Sequence, residues 1–569
     1  MSERKSFAQN TVILFIAVLI SKTVSALFKI PLTNILGGAG MGYYSAAYSL
    51  FNPIFAVTAA GIPTVIVKVT ARFAGGGRYD DARRTLRVAL RTFGLLGLIG
   101  TVVLIALAAP FSTFAAQSPE SLYAVLAIAP SVFLCCVGSV FKGYYEGLSN
   151  MAPTAVSIIV ESVSRAAIGL TSSFFIVNYA SDCFNAGLPV FGNNVSSIEQ
   201  AIAAALPFAA AAATLSATIG ELCGAAVFAL KWRFGKKTAD TANKVKGKEK
   251  SGIEIAKSLI KDCVPIWIGS VVINLSSFID LITITRCINY SIGSASEYYQ
   301  STFGRIISLH GGDVNFGNFM FGSYTGIAVT MVMLIPAFTG MLSKSALPDI
   351  AAAWSIGDFR NFKRKVTLVI RSNLLIGIPL YLGLAAISEP ALGLLYASRP
   401  EEAAVSVLPM TVLSVGGVFM TLASSFFAIF QVIGRSDLPV RIMLFALGVK
   451  LVLNVFLIPI PEINITGAAL SSSIAYAAAA FGGYFALENH CKMGFGLLSL
   501  TAVPLISGLS CAAAAFFSYN FFVQHFSQTL SLLFGVATGA ILYVFLLIIQ
   551  GGVDLKNLLN RQIFKKSVK

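Results

Sequence analysis

The sequence predicts an all-α, polytopic membrane protein with about 14 transmembrane helices. These form two pseudo-symmetric lobes of six helices plus two C-terminal helices, with both termini in the cytoplasm. Three observations carry this. Of 569 residues, 56% are hydrophobic and 12% are charged, with a mean hydropathy of +0.79. Soluble domains carry about 25% charged residues. The apolar residues fall into fourteen spans, each long enough to cross a bilayer. Finally, Lys and Arg fall almost wholly on alternate connections.

The spans run near 9–35, 42–68, 88–112, 121–145, 151–180, 198–231, 258–286, 317–346, 365–388, 404–433, 439–462, 464–488, 497–521 and 526–551. With the N-terminus inside, 34 of the 41 Lys and Arg lie in cytoplasmic segments, Lys142 counted in the turn 142–152. Only Arg286, Arg305 and Arg399 lie outside, and Lys22, Lys29, Arg165 and Lys450 lie within spans. The net charge of +16 is therefore a topology signal, not a nucleic-acid footprint.

The organisation follows: residues 1–231 form an N-terminal six-helix lobe, 232–253 a basic cytoplasmic linker, and 254–492 a C-terminal six-helix lobe. Residues 493–569 add two helices and a basic cytoplasmic tail. The segment 231–250, KWRFGKKTADTANKVKGKEK, has no apolar period and reads as a solvated linker, with anionic headgroups as an alternative partner. Segment 78–91 reads as a short amphipathic helix on the inner surface. The halves echo each other at an offset of 280: Gly77 with Gly357, Arg84 with Arg364, Arg91 with Arg371, Gly97 with Gly377. A second echo joins YYEGLSNMAP (144–153) to IFQVIGRSDLP (429–439), each a helix end, a turn, then Pro. Parallel internal repeats of this size mark two-lobed transporters. Between Lys492 and Lys556 there is no Lys or Arg, so the last two spans read as lipid-facing.

The first span carries the main functional candidates. Lys22 lies twelve residues past Asn10, about 18 Å into the membrane, and Lys29 is two turns further on the same face. A charge at that depth faces a bundle interior or a water-filled cavity. Two stacked cations suggest an anion site. The competing reading pairs both with carboxylates, or lets Lys29 snorkel to the surface. Glu161 and Arg165, at i, i+4, read as a structural ion pair or cavity residues. Asp280 and Asn454 supply oxygens for a coupling Na⁺ or H⁺; satisfaction of the carboxylate by a lysine is the alternative. Glu221 and Lys450 also lie within spans.

Enzyme signatures are missing from the sequence: it has neither HExxH nor GxSxG, and Asp80-Asp81 continues as Ala-Arg. His310-Gly-Gly-Asp313 is a weak signal on its own. Eight scattered cysteines and three distant histidines offer no metal or disulfide spacing. The reading is a non-enzyme with no metal and no resident cofactor.

Three stretches carry a resemblance: SKTVSALFKIPLTNILGGAGMGYYSAAYSLFNPIFAVTAAGIPTVIVK (21–68), GYYEGLSNMAPTAVSIIVESVSR (143–165) and LNVFLIPIPEINITGAALSSSIAY (453–476). Together they resemble the stage V sporulation protein B and polysaccharide-export branch of the multidrug/oligosaccharidyl-lipid/polysaccharide exporter superfamily, to which the lipid II flippases belong. The resemblance covers essentially the whole chain. It implies two six-helix lobes around a central cavity that opens alternately to each side of a bacterial plasma membrane. The implied cargo is an undecaprenyl-pyrophosphate-linked saccharide: a peptidoglycan precursor or a polysaccharide repeat unit. Lys22 and Lys29 fall where the flippases carry cavity arginines on their first helix. Further cavity arginines in spans 2 and 8 have no match in FNPIFAV and GSYTGIAV. Asp280 and Asn454 stand near a cation site that the family places between spans 7, 11 and 12. The last two helices would form a groove for the polyprenyl tail. The implied partners are this substrate, membrane lipids and the cell-wall or polysaccharide synthesis machinery, in growth or sporulation. Two other functions compete: a multidrug or organic-cation antiporter, which favours an acidic cavity, and a scaffold in envelope or spore assembly.

Overall fold

The computed structural model describes residues 2–234, 251–309, 313–492, 494 and 496–550. Most of the basic linker, the C-terminal tail and His310 therefore lie outside the described residues. Among the described residues the chain is helical, with one isolated bridge between Val190 and Asn193. Thirteen helical runs among the described residues are long and apolar enough to cross a membrane. The first, Val12–Gly75, has 64 residues, about 96 Å at ~1.5 Å per residue and roughly three bilayer cores. It breaks at Gly37, whose φ of 63° and ψ of −171° are not helical. Counted as two crossings, it restores the fourteen spans of the sequence. The protein is a multi-pass membrane protein.

The chain divides into two compact units, Met1–Gly326 and Ile327–Lys569. The first holds α1 (Ser2–Thr58), α2 (Ile62–Gly75), α3 (Tyr79–Pro110), α4 (Ser121–Ile128), α5 (Ser131–Gly147), α6 (Ala152–Asn185), α7 (Ile198–Phe234), α8 (Gly252–Ser294), α9 (Ser296–Leu309) and α10 (Asp313–Ser323). Small residues set its packing. A Cβ on Gly322 of α10 would land on the Gly38 carbonyl and the Gly42 amide of α1. Only glycine permits that approach. Asn318 Nδ2 then reaches the Ala39 carbonyl at 2.9 Å. Gly220 and Gly224 of α7 do the same against Glu161 and Ser157 of α6.

Segment 78–91 is not a separate surface helix. It forms the first turns of α3, with Ala82, Thr85, Leu86, Ala89 and Phe93 buried on one face. The helix is entered through Gly77, at φ 69°. Gly77 N–H donates to the Ala74 carbonyl (3.0 Å) and Arg78 N–H to that of Phe73 (2.9 Å). This is a Schellman ending.

The second unit holds α11 (Val329–Val332), α12 (Leu334–Ser355), α13 (Phe359–Ala386), α14 (Ser388–Leu395), α15 (Pro400–Val432), α16 (Asp437–Leu457), α17 (Thr466–Cys491), α18 (Leu497–Phe522) and α19 (Gln528–Ile549). Its core joins α12, α13, α15 and α17 through Phe362, Ile370, Phe426 and Phe430. Gly357 (φ 71°) repeats the Gly77 turn: its N–H donates to the Trp354 carbonyl, and Asp358 N–H to that of Ala353, both at 3.1 Å. Gly97 and Gly377 are both close-approach points, against Cys136 of α5 and Thr421 of α15. The repeat seen in sequence is thus a repeat of turns and helix crossings. Helices α18 and α19 pair through Gly535 and Gly539 against the carbonyls of Ala515 and Cys511. Their outer faces expose Phe517, Phe521, Leu533 and Ile541, as lipid contact requires.

Candidate functional site

Helix α1 is apolar and much of it is exposed up to Leu27, with Phe15, Ile16, Ile20 and Leu27 uncovered; from Phe28 to its break at Gly37 it is covered. Lys22 is exposed among them, and Lys29 is half-buried. Lys22 lies ten residues past Val12 and fifteen before Gly37, about 15 Å and 22 Å from either end at ~1.5 Å per residue. It therefore lies well inside the apolar helix. Phe28, beside Lys29, packs against Gly169 of α6, one turn beyond Arg165.

The Glu161–Arg165 pair is real but belongs to a larger cluster. Arg165 Nη2 donates to Glu161 Oε1 at 3.2 Å, and Lys142 Nζ donates to Glu161 Oε2 at 3.1 Å. One carboxylate thus bridges two cations from α5 and α6. Glu221 of α7 completes the group: it interacts with Lys142, Arg165 and the Glu161 carboxyl. The Gly220 contact holds α7 against Glu161, which explains why Glu221 arrives there. Tyr44 and Tyr48, beyond the α1 break, act electrostatically on Arg165. The Cys135 thiol, two turns before Lys142, reaches Glu221. Lys142, Glu161 and Arg165 keep side-chain exposures of 20%, 15% and 26%. The buried Arg165 Nε has no hydrogen-bond partner among the described residues.

Lys142 therefore does not belong to an inner turn. It is an interior residue of α5, five positions before the helix ends at Gly147. Its place three residues inside the apolar span 121–145 was the available signal. Nothing in the sequence tied it to Glu161, nineteen residues on.

Asp280 and Asn454 are both buried. Asp280 sits on α8 in the first unit and Asn454 on α16 in the second. Asn454 Oδ1 accepts a hydrogen bond from Ser471 Oγ of α17. Lys450, one turn before Asn454, is 2% exposed.

Residues 7–354 match the family model described as polysaccharide biosynthesis protein. The chain belongs to that family. It is 20% identical over 500 residues to the lipid II flippase MurJ of Bacillus subtilis (strain 168), covering 86% of this chain and 84% of that one. It is 24% identical over 348 residues to stage V sporulation protein B of the same organism, covering 61% and 58%. Among solved structures it superposes on MurJ in an inward closed conformation with a TM-score of 0.59 at 15% identity, covering 95% of this chain and 98% of that one. An inward-facing MATE multidrug resistance transporter of the MOP superfamily also gives 0.59, at 14% identity, covering 84% and 98%. The family member thus has the fold these transporters share. Both α1 lysines and the whole Lys142–Glu221 cluster lie inside the matched region.

Proposed function

We propose that this protein is a flippase that carries an undecaprenyl-pyrophosphate-linked saccharide across the plasma membrane by alternating access. The observation that carries the reading is Lys22: an exposed cation deep in an apolar crossing helix, within the family-matched region. A lysine at that depth is stable where it meets water or an anion. A pyrophosphate supplies oxygens for charge-assisted hydrogen bonds. The exposed apolar faces of α18 and α19 suit the lipid tail. No bond of the cargo needs to change, so the work is transport rather than catalysis.

A multidrug antiporter of the same superfamily is the second reading, favoured by the MATE likeness. Cluster electrostatics argue against it. Organic cations call for unpaired carboxylates, whereas Glu161 and Glu221 both face Lys142 and Arg165.

The test is translocation of fluorescent lipid II and of a lipid-linked polysaccharide repeat in proteoliposomes, wild type beside Lys22→Ala. Movement of either that the variant loses supports the reading and selects the saccharide class. Export of an organic cation with neither lipid moving would transfer the protein to the antiporters.

A further inference from the structure

A cavity of about 610 Å³ lies in the second unit, between α14 and the first turns of α15. Pockets of ~300–1,000 Å³ hold small ligands. Its walls are one face of each helix. Glu389 and Gly393 stand one turn apart on α14, and Tyr396 follows just past the helix end; Ala404, Val407 and Leu408 share a face of α15. Gly393 and Ala404 leave the room, because neither has a side chain beyond Cβ. The cavity stands at the edge of the apolar layer: the crossing run Phe359–Ala386 ends just before it and the run Pro400–Val432 begins within it. Leu408 and Val415, two turns apart on α15, are 58% and 47% exposed and continue its apolar wall along the helix. Two polar groups of the cavity are uncommitted. Tyr396 is fully buried, and its hydroxyl has no hydrogen-bond partner among the described residues. A buried hydroxyl ordinarily has one. Glu389 is exposed, and its side chain makes no hydrogen bond or ion pair among the described residues. The neighbouring charges Arg399, Glu401 and Glu402 are each engaged already. A carboxylate in the first turn of α14 suits the helix dipole. That accounts neither for the cavity beside it nor for the hydroxyl left over.

We propose that this cavity binds a bilayer phospholipid whose headgroup ends in a primary ammonium, a lipid of the phosphatidylethanolamine type. The ammonium donates charge-assisted hydrogen bonds to the Glu389 carboxylate. A phosphate or ester oxygen of the same lipid accepts from the Tyr396 hydroxyl. The acyl chain lies over Val407 and Leu408 and runs on past Val415. Charge selects the headgroup. A phosphatidylglycerol head brings a negative charge to Glu389 with no cation to offset it. A phosphatidylcholine head brings a cation without an N–H, so it gains the Coulomb attraction and not the hydrogen bond. Every phospholipid has the phosphate, so Tyr396 sets how deeply the lipid sits and Glu389 sets which lipid it is. The site is separate from the α1 lysines and does not depend on the flippase reading.

The test is native mass spectrometry of the full chain in detergent with phosphatidylethanolamine, phosphatidylcholine and phosphatidylglycerol of identical chains, present in equal amounts. Wild type should retain one ethanolamine lipid in preference to the glycerol lipid by about tenfold or more, the scale on which a like charge discriminates. The choline lipid should fall between them. Glu389→Gln keeps the size of the side chain and should level the three lipids. Tyr396→Phe should weaken all three alike, because their phosphates are the same. Ala404→Trp fills the cavity and should remove the adduct. Glu389 and Ala404 are exposed, so both variants should fold, and melting temperatures check this. Equal retention of the three lipids by wild type, or a preference for the glycerol lipid, overturns the proposal. So does an ethanolamine preference that survives both Glu389→Gln and Ala404→Trp. Movement of a lipid-linked saccharide by a protein without the ethanolamine preference would remove this site and leave the flippase reading standing.

Discussion

Ser149 and Gly434 hold the same left-handed position in the same helix-ending turn, 285 residues apart, at φ 58° and 77°. Ser149 N–H donates to the Glu146 carbonyl and Asn150 N–H to that of Tyr145, at 2.9 and 3.0 Å. Gly434 and Arg435 repeat the pattern onto Gln431 and Phe430, at 3.4 and 2.9 Å. Each turn links a long helix to one opened near a proline. No atom would crowd a Cβ at Gly434, so its substitution tests the backbone alone. Gly434→Ala should lower stability by about 1–2 kcal/mol and Gly434→Asn by less, because asparagine tolerates this region. Thermal unfolding in detergent measures the order. Equal losses for Ala and Asn would show that the strain argument does not apply to this turn.

The Gly322 contact makes a harsher prediction. Its missing Cβ would overlap main-chain atoms of Gly38 and Gly42, which no rotamer change can move aside. Gly322→Ala should force α10 off α1, costing well over the ~1–3 kcal/mol typical of overpacking. Gly340→Ala, where the space around the Cβ is open, should be close to neutral. Size-exclusion profiles and melting temperatures of the two variants separate a tight crossing from general glycine sensitivity.

The fold was legible because its signals are local. Hydropathy marks each crossing, and Gly77 and Gly357 align by spacing alone. The Gly37 break was legible as the gap between spans 9–35 and 42–68, but not its form. Gly37, Gly38 and Gly40 stand in that gap, yet the spacing does not show that the chain turns at residue 37 within one continuous helical stretch. The cluster was half-legible. Glu161 and Arg165 are one turn apart on a helix, and sequence spacing finds such pairs. Lys142 and Glu221 join them only because α5, α6 and α7 cross at small residues. That crossing is a three-dimensional fact set by Gly220 and Gly224. For the same reason, Asp280 and Asn454 could be picked as intramembrane polar residues, while the Ser471 partner of Asn454 came only with the structure.

A polar tie in the second unit offers a stability measurement free of transport. Asn373 of α13 is buried, and its Nδ2 donates to Ser343 Oγ of α12 at 2.6 Å and to Ser425 Oγ of α15 at 2.8 Å. One amide therefore ties three helices. Asn373→Ala removes both bonds and opens a small cavity, and should cost about 2–3 kcal/mol. Asn373→Leu fills the space but leaves two serine oxygens short of a donor, and should cost about 1–2 kcal/mol. Equal losses for Ala and Leu would show that packing at this position does not matter, and wild-type stability in both would show that the bonds do not either.

The two α1 lysines should separate by burial. Lys22 is exposed, so its removal leaves little packing undone. Lys22→Ala should leave the melting temperature within about 1 °C, since surface changes stay near 0.5 kcal/mol. Its transport rate should nevertheless fall about tenfold or more, because a charge-assisted contact with the cargo is gone. Lys22→Arg keeps the charge and should retain most of the rate; Lys22→Glu should repel the anion and be inactive. Lys29 is half-buried beside Phe28, which wedges into Gly169 of α6. Lys29→Ala should therefore lower stability and transport together. The paired readout is melting temperature and proteoliposome flux on the same preparations. A Lys22 variant that loses stability in step with flux would make this lysine a packing residue, and would remove the observation on which the flippase reading rests.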